Sequence, residues 1–386
     1  MVFTNKPLKF IVAILIAFMP LFGFANDTIT APQAPKEIAV TQSETAVKPV
    51  DESESVKEKI KEVIGHHILD SHDFSLFSDT ATGAHYGFPL PVILWDNGLH
   101  VFSSSKFNHG ESVAYVDGTY YKLYHEKVFK TDKDGTINLA KKTKDSELYP
   151  TNAQPIDLSI TKGVLAIMIV AILMFLLFAG LAKSYHKNGG ISSGAGRFFE
   201  PVVLYVRDEI AIPNIGEKHY KKYMSFLLTV FFFVWFLNMF GLTPLGINVT
   251  GNIAVTFGLA VLTFLITNLT ANRNYWGHIF WMPGVPLPMK IILAPIELLG
   301  VIIKPFSLMI RLYANMFAGH IVLMSLIGLM FIFKSWLGST LSFFLSFIIS
   351  IIEILVALLQ AYIFTILSAL YFGSAVQEHH HEEEAH

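Results

Sequence analysis

Five ionisable side chains lie inside two unusually long apolar stretches of this 386-residue sequence: Glu297, Lys304, Arg311 and His320 within residues 291–333, and Glu353 within residues 341–372. A charge at the centre of an apolar span costs on the order of 3 kcal/mol or more, so by default such residues mark an ion path or a charge pair. Helical spacing sorts them. Glu297, Lys304 and Arg311 stand seven residues apart, each within ~20° of the next on one face. Ser307 and Asn315, four residues either side of Arg311, extend that stripe. His320, nine residues past Arg311, falls on the opposite side and ~13 Å further along. In the second stretch Glu353, Gln360 and Tyr371 again share one face, so two helices each carry a polar seam in an apolar background.

The residue types define the chemistry available. Arg keeps its proton even in an apolar setting, its reference pKa lying above ~12, so it serves as a fixed positive charge and not as a relay. Glu and His change protonation state within reach of neutral pH and together can pass a proton. The competing reading is a set of buried pairs that hold helices together, and for Glu297 with Lys304 both readings stand. Arg311 has no acid one turn away on its own helix, so its counter-charge must come from another helix or another chain.

These seams need a membrane around them, and the composition supplies one. The chain is 53% hydrophobic and only 15% charged, with a mean hydropathy of +0.50, against ~25% charged in soluble proteins. A wholly soluble enzyme is excluded. A net charge of −2 leaves no basic stripe for nucleic acid. The absence of Cys removes disulfides, thiolate metal sites and cysteine nucleophiles.

The apolar runs predict five membrane-crossing helices: residues 158–182, 224–242, 253–269, 291–333 and 341–372. Lys183, His186, Lys187 and Arg197 follow the first run and place its end in the cytoplasm. Residues 198–219 mix Val, Ile and Phe with Arg207, Asp208 and Glu209, which predicts an interfacial amphipathic helix. The loop 243–251 has no basic residue while the next holds Arg273 and Lys290, so the former faces outside and the latter the cytoplasm. The last two runs exceed what a ~30 Å hydrocarbon core needs and must tilt, bend or pack against another protein.

Ahead of these runs, Lys6 and Lys9, a short apolar stretch and Gly23-Phe-Ala25 read as a signal peptide over residues 1–25. Residues 26–55 lack large apolar side chains and read as a flexible linker. Residues 56–150 read as a small exported, periplasmic segment of mixed structure, with a helical run at 56–64 and strands at 88–95, 98–102 and 119–124. His66, His67, His72 and His85 fit no tight ligand set and read as surface histidines. The tail 378–386, with four His and four Glu, reads as a solvated cytoplasmic end.

The run Lys304-Pro-Phe-Ser-Leu-Met-Ile-Arg-Leu-Tyr-Ala-Asn-Met-Phe-Ala-Gly-His320 resembles the signature helix of the a subunit of F-type ATP synthases, a Pro-x-Ser-x-x-x-Arg-x-x-x-Asn-Met-x-Ala-Gly pattern. Gln360-Ala-Tyr-Ile-Phe and Ala-Leu-Tyr371 resemble the family's final helix, Asn238-Met-Phe-Gly-Leu-Thr-Pro244 its hairpin tip, and Gly65-His-His67 a short N-terminal motif of some members. Where the family often has Gly before the Asn, Ala314 stands here. The resemblance covers roughly residues 156–377.

It implies an all-α polytopic fold whose last two helices are long and strongly tilted against a c ring. It implies a non-catalytic stator subunit of the Fo sector in the bacterial inner membrane, N-terminal segment outside and C-terminus cytoplasmic, without cofactor or metal. Its partners would be the c ring, the b subunits, the remaining subunits and lipid. Arg311 would face the ring carboxylate, with Asn315 and Gln360 as polar neighbours and Ser307 toward the inner half-channel. His320 and Glu353 would line the outer half-channel, and Glu297 and Lys304 the inner exit. The resemblance leaves the job of residues 70–150 open. A stand-alone proton-coupled secondary transporter would instead show two related halves with broken helices, and no such repeat is visible. A membrane-anchored sensor would leave the seams of Arg311 and Glu353 without purpose.

Overall fold

Short alternating segments with tight turns occupy the first part of the ordered chain and long apolar helices the second, and a computed structural model describes residues 69–79, 84–141, 148–187, 194–243, 247–282, 285–332 and 336–377. The signal peptide expected at 1–25, the linker at 26–55, the helical run at 56–64, His66, His67 and the tail at 378–386 lie outside the described residues.

The N-terminal domain is built from antiparallel strands in small sheets. They are β1 (Asp73–Asp79), β2 (Ala84–Pro89), β3 (Pro91–Trp95), β4 (Leu99–Ser103), β5 (Ala114–Val116), β6 (Thr119–Tyr124), β7 (Lys127–Thr131), β8 (Leu139–Lys141), β9 (Leu148–Pro150) and β10 (Ile156–Asp157). β1 pairs with β2, and β8 with β9; β10-β3-β4 and β5-β6-β7 form three-stranded sheets. Alternation along β3 turns Val92 and Leu94 inward, where they meet Phe102, Phe107, Tyr121 and Leu123. The β5–β6 hairpin closes on Asp117-Gly118, both at positive φ, the geometry that a two-residue turn matching strand twist requires. The strands anticipated from sequence are present at β3, β4 and β6, and the apolar run from residue 88 is divided at Leu90 into β2 and β3.

The helices follow: α1 (Lys162–Lys187), α2 (Ala195–Tyr205), a π-helical turn (Val206–Ala211), α3 (Ile212–Ile215), α4 (Tyr220–Gly241), α5 (Ile253–Leu269), α6 (Arg273–Phe280), α7 (Leu287–Ile332) and α8 (Trp336–Val376). Among the described residues four of these, α1, α4, α7 and α8, are long and apolar enough to cross a membrane. The number becomes five if α5 and α6, which meet at a 100° bend, count as one broken span. α6 falls where the sequence reading had only a loop. α2 and the π turn bury Val206, Ile210 and Ala211 while Arg207 and Asp208 pair on the exposed side, the two-faced pattern read from sequence.

The helical core gathers Phe226, Leu227, Val230 and Leu237 of α4 with Leu308, Leu312 and Met316 of α7 and Phe364 and Phe372 of α8. It also takes in Phe74 and Leu90, so the apolar core runs unbroken from the helices into the N-terminal domain. Small residues set the closest approaches. A Cβ on Gly373 of α8 would run into the Asn214 backbone carbonyl of α3.

Two asparagines fasten α8 along its length. Asn238 on α4, fully buried, donates from Nδ2 to the Ala357 carbonyl at 3.3 Å. Asn272, at the α5–α6 bend, donates its backbone N–H to the Ala375 carbonyl at 2.8 Å and its Nδ2 to that of Val376 at 3.0 Å. These last carbonyls of a helix have no partner of their own. Asn272→Ala should therefore cost about 1 kcal/mol of stability. Asn272→Asp should cost more, because it places a negative charge at the negative end of α8. Thermal unfolding of the purified protein in lipid checks the order, and equal losses would show that the helix end carries no such field.

Candidate functional site

The spacing rule holds on α8. Glu353 and Gln360 share its buried face with Ala357, Ala361 and Phe364, and the opposite face exposes Phe344, Phe347, Ile348, Ile351, Ile352 and Leu355. The buried face packs against α4 and α7. Its small residues let the neighbouring backbones approach, as helix pairs in apolar surroundings require.

Glu353 of α8 meets α7 at the glycine that precedes His320. A Cβ placed on Gly319, the residue before His320, would stand 2.5 Å from Glu353 Oε1, so the carboxylate rests against the bare backbone of α7. His320 is buried in turn against the end of α4, where a Cβ on Gly241 would lie 3.5 Å from its Cε1. Glu353 Oε2 is enclosed without a hydrogen-bond partner among the described residues. Thr250 Oγ1 donates to Asn238 Oδ1 at 2.8 Å, and Asn238 reaches the Ala357 carbonyl one turn beyond Glu353. The site therefore joins α4, the α4–α5 loop, α7 and α8. Thr250 was not singled out from sequence, although a polar side chain at the tip of an apolar hairpin is a usable signal.

Arg311 lies elsewhere. It is exposed on α7 with Ser307, Ala314 and Asn315, flanked by exposed Ile303, Phe306 and Ile310. It makes no ion pair among the described residues. A permanent charge on a largely apolar face, without an ion pair among the described residues, is costly in lipid unless an acid faces it.

The predicted stripe divides at Lys304. Ser307, Arg311 and Asn315 are exposed together, whereas Glu297 and Lys304 are half-buried, as a drift of ~20° per seven residues permits. The Lys304 ammonium sits 5.6 Å from the Tyr371 ring centroid, and the Arg311 charge also reaches Tyr371. The Glu297 charge reaches Tyr275 on α6. Beside them lies a narrow crevice walled by Thr263, Thr267, Asn268, Tyr275, Lys304 and Tyr371. The wall from α5 went unremarked in the sequence. Its hydroxyls bond back to carbonyls four residues earlier, Thr263 to Leu259 and Thr267 to Thr263, which makes them acceptable in an apolar helix whatever they face.

One sequence reading is corrected. His72 is not a surface histidine; it is 2% exposed and bonded to Asp157 Oδ2 at 2.8 Å, because residues 85 positions apart fold onto each other.

A multi-pass helical membrane protein with a buried acid–histidine pair and a separate exposed arginine on its two longest helices is the class defined by this arrangement. The family model for the ATP synthase A chain matches residues 164–373, more than half of the sequence, and the chain belongs to that family. A second model, described as a domain of unknown function, matches residues 63–158. The chain is 43% identical to ATP synthase subunit a of Chloroherpeton thalassium over 235 residues, covering 60% of this chain and 70% of the relative. It is 42% identical to that of Myxococcus xanthus over 237 residues, covering 60% and 78%. Against that of Pelodictyon phaeoclathratiforme it is 39% identical over 281 residues, covering 71% and 80%.

Gly319→Val should push Glu353 off its seat. Overpacking of this kind costs about 1–3 kcal/mol, which carried into a barrier is roughly a fivefold to 150-fold loss of rate. ATP synthesis by membrane vesicles measures it, and a normal rate would mean that the carboxylate need not rest there.

Proposed function

We propose that this chain is the stator ion-path subunit of an F-type ATP synthase Fo sector, a non-catalytic subunit that couples proton translocation to rotation of a c ring and so to ATP synthesis. The observation that carries the reading is Arg311, a fixed cation on an exposed apolar face with no ion pair among the described residues. A membrane-embedded carboxylate on a passing ring is a partner of the right charge and depth. Five crossings then follow, with α5 and α6 as one broken span, α2 and α3 at the membrane surface, and α7 and α8 tilted against the ring. The protein sits in the bacterial inner membrane with its N-terminal domain outside and its C-terminus in the cytoplasm; the b subunits and the remaining subunits complete the complex.

A proton enters from outside past Glu353 and His320 and neutralises a ring carboxylate. Once neutral, that group can move into lipid without the cost of a bare charge. After nearly a full turn it reaches Arg311, whose charge favours the ionised form, and the proton leaves toward the cytoplasm past Ser307, Glu297 and Lys304. Asn315 and Gln360 are polar neighbours of Arg311 on the two helices. Arg311 also separates the two paths, because a proton crossing directly would have to pass a permanent positive charge. The drive is ~2.3 kcal/mol per charge per 100 mV, plus any pH difference.

Arg311→Ala should abolish proton-driven ATP synthesis in vesicles while the subunit still co-purifies with the ring; normal synthesis would overturn the assignment. The double exchange His320→Glu with Glu353→His should retain more activity than the loss of either residue alone. A double exchange no better than the worse single variant would dissolve the partnership.

A further inference from the structure

The N-terminal domain contributes no residue to that mechanism, yet its most buried charges lie at the head of α1. Asp70 accepts from the Gly163 backbone N–H at 2.9 Å and from Thr161 Oγ1 at 2.8 Å, so a residue from before β1 caps the first turn of a membrane helix more than ninety positions later. The Lys162 N–H donates to the Ser71 carbonyl at 2.9 Å. Next to this seam, His72 Nε2 meets Asp157 Oδ2 at 2.8 Å, the carboxylate of Asp157 also accepting from the Ser159 N–H at 2.9 Å. Phe74 and Leu90, flanking the seam, enter the helical core.

We propose that Asp70, His72 and Asp157 form a clasp that seats the N-terminal domain on the head of α1 and loosens as the external pH rises. The external placement rests on the orientation proposed above; the clasp itself does not. The charged groups around His72 are Asp157 on β10, Glu126 in the β6–β7 turn, and Asp70, with Lys162 beside Asp70 at the head of α1. Asp73, the next residue, is engaged instead by Ser104 and His109. With His72 protonated the three carboxylates face two cations; with His72 neutral they face one, in a site where the imidazole is buried and the Asp157 carboxylate is partly open to water.

The direction of the titration agrees. Burial pushes the His72 pKa down, but the hydrogen bond and charge of Asp157, with Glu126 and Asp70, outweigh it and hold the pKa above the ordinary 6.5. Asp157 is partly buried, which would raise it, yet His72 and Ser159 hold it below the usual 3.8. Burial raises Asp70 against the donors Gly163 and Thr161. A histidine raised on docking stabilises the docked state fully below about pH 6.5, and that stabilisation is lost as pH climbs through the raised value. The clasp is therefore closed when the outside is acid, the condition that drives inward proton flow.

Amide hydrogen exchange of the intact complex in lipid discs, corrected for the intrinsic pH dependence of exchange, is the test. Protection at Lys162 and Gly163, whose N–H groups donate across the seam, should fall severalfold between pH 6 and pH 9 as His72 loses its proton. His72→Gln should remove most of that dependence, leaving at pH 6 the exchange that the unaltered protein shows at pH 9. His100→Gln on β4, which removes the pair with Asp117 and the contact with the Asp96 carbonyl, away from the seam, should leave the profile intact. Gly163→Ala keeps every charge but puts a Cβ 2.9 Å from Asp70 Oδ1, so it should open the seam at all pH values. Flat protection in the unaltered protein, or an unchanged profile in His72→Gln, would overturn the clasp. Arg311→Ala should not alter the profile, so active ATP synthesis in that variant would sink the functional reading and leave this one standing.

Discussion

A guanidinium keeps its charge in lipid, and much of this architecture can be read as a response to that single constraint. Arg311 sits in the middle of the 46-residue α7, so it can escape neither to one membrane surface nor to the other by snorkelling. Burying it against its own chain would demand an acid, and no such acid pairs with it among the described residues. The remaining solution is an exposed position, which the ring-facing role proposed above would complete with an acid from outside the chain. Apart from Ser307 and Asn315, the neighbours of Arg311 on the exposed face of α7 include the large apolar side chains Ile303, Phe306 and Ile310, a low-dielectric setting that preserves the strength of the charge at short range.

A charge placed in this way acts only if its helix stays in register, and the reverse face of the bundle supplies that. α8 carries polar groups inward and bulky apolar groups outward. Asn238 holds it near Glu353 and Asn272 holds its last carbonyls. Neither contact could be replaced by apolar packing of the same strength, since apolar surfaces slide whereas a donor aimed at one carbonyl fixes both rotation and height. Other hydroxyls in the helices, such as Thr365 and Ser368, bond back to their own backbone four residues earlier. They fill space without competing for partners.

How far the sequence disclosed this depended on the range of each interaction. Periodicity within one helix is local, so the sharing of one face by Glu353 and Gln360, the placement of His320 away from Arg311, and the strands β3, β4 and β6 could all be read from spacing alone. The stripe from Glu297 to Arg311 was only partly legible: a drift of ~20° per heptad is small at each step but suffices to turn Lys304 onto Tyr371. The helix α6 was hidden because eight residues give too weak a period, and the role of Asn272 because its partners are more than a hundred positions away. His72 was misread for the same reason, its acid lying on β10. Spacing arguments fail where two distant segments meet, and those are the places where polar groups are buried.

The two glycines at the acid–histidine site show why burial there is economical of structure. Enclosing Glu353 with a full side chain opposite it would have pushed α7 and α8 apart and let lipid or water between them. Gly319 removes the obstacle on α7 and Gly241 the one on α4, so three helices can converge on two titratable groups at backbone distance. A carboxylate held this way faces main chain in place of a hydration shell, and its charge state becomes sensitive to whatever proton reaches it. The same glycines leave no slack, because any added methyl at position 319 lands on the carboxylate itself. Close packing and the enclosure of an ionisable group are thus the same requirement at this point of the chain, whereas at Arg311 they are separated, the charge lying on the exposed face of α7.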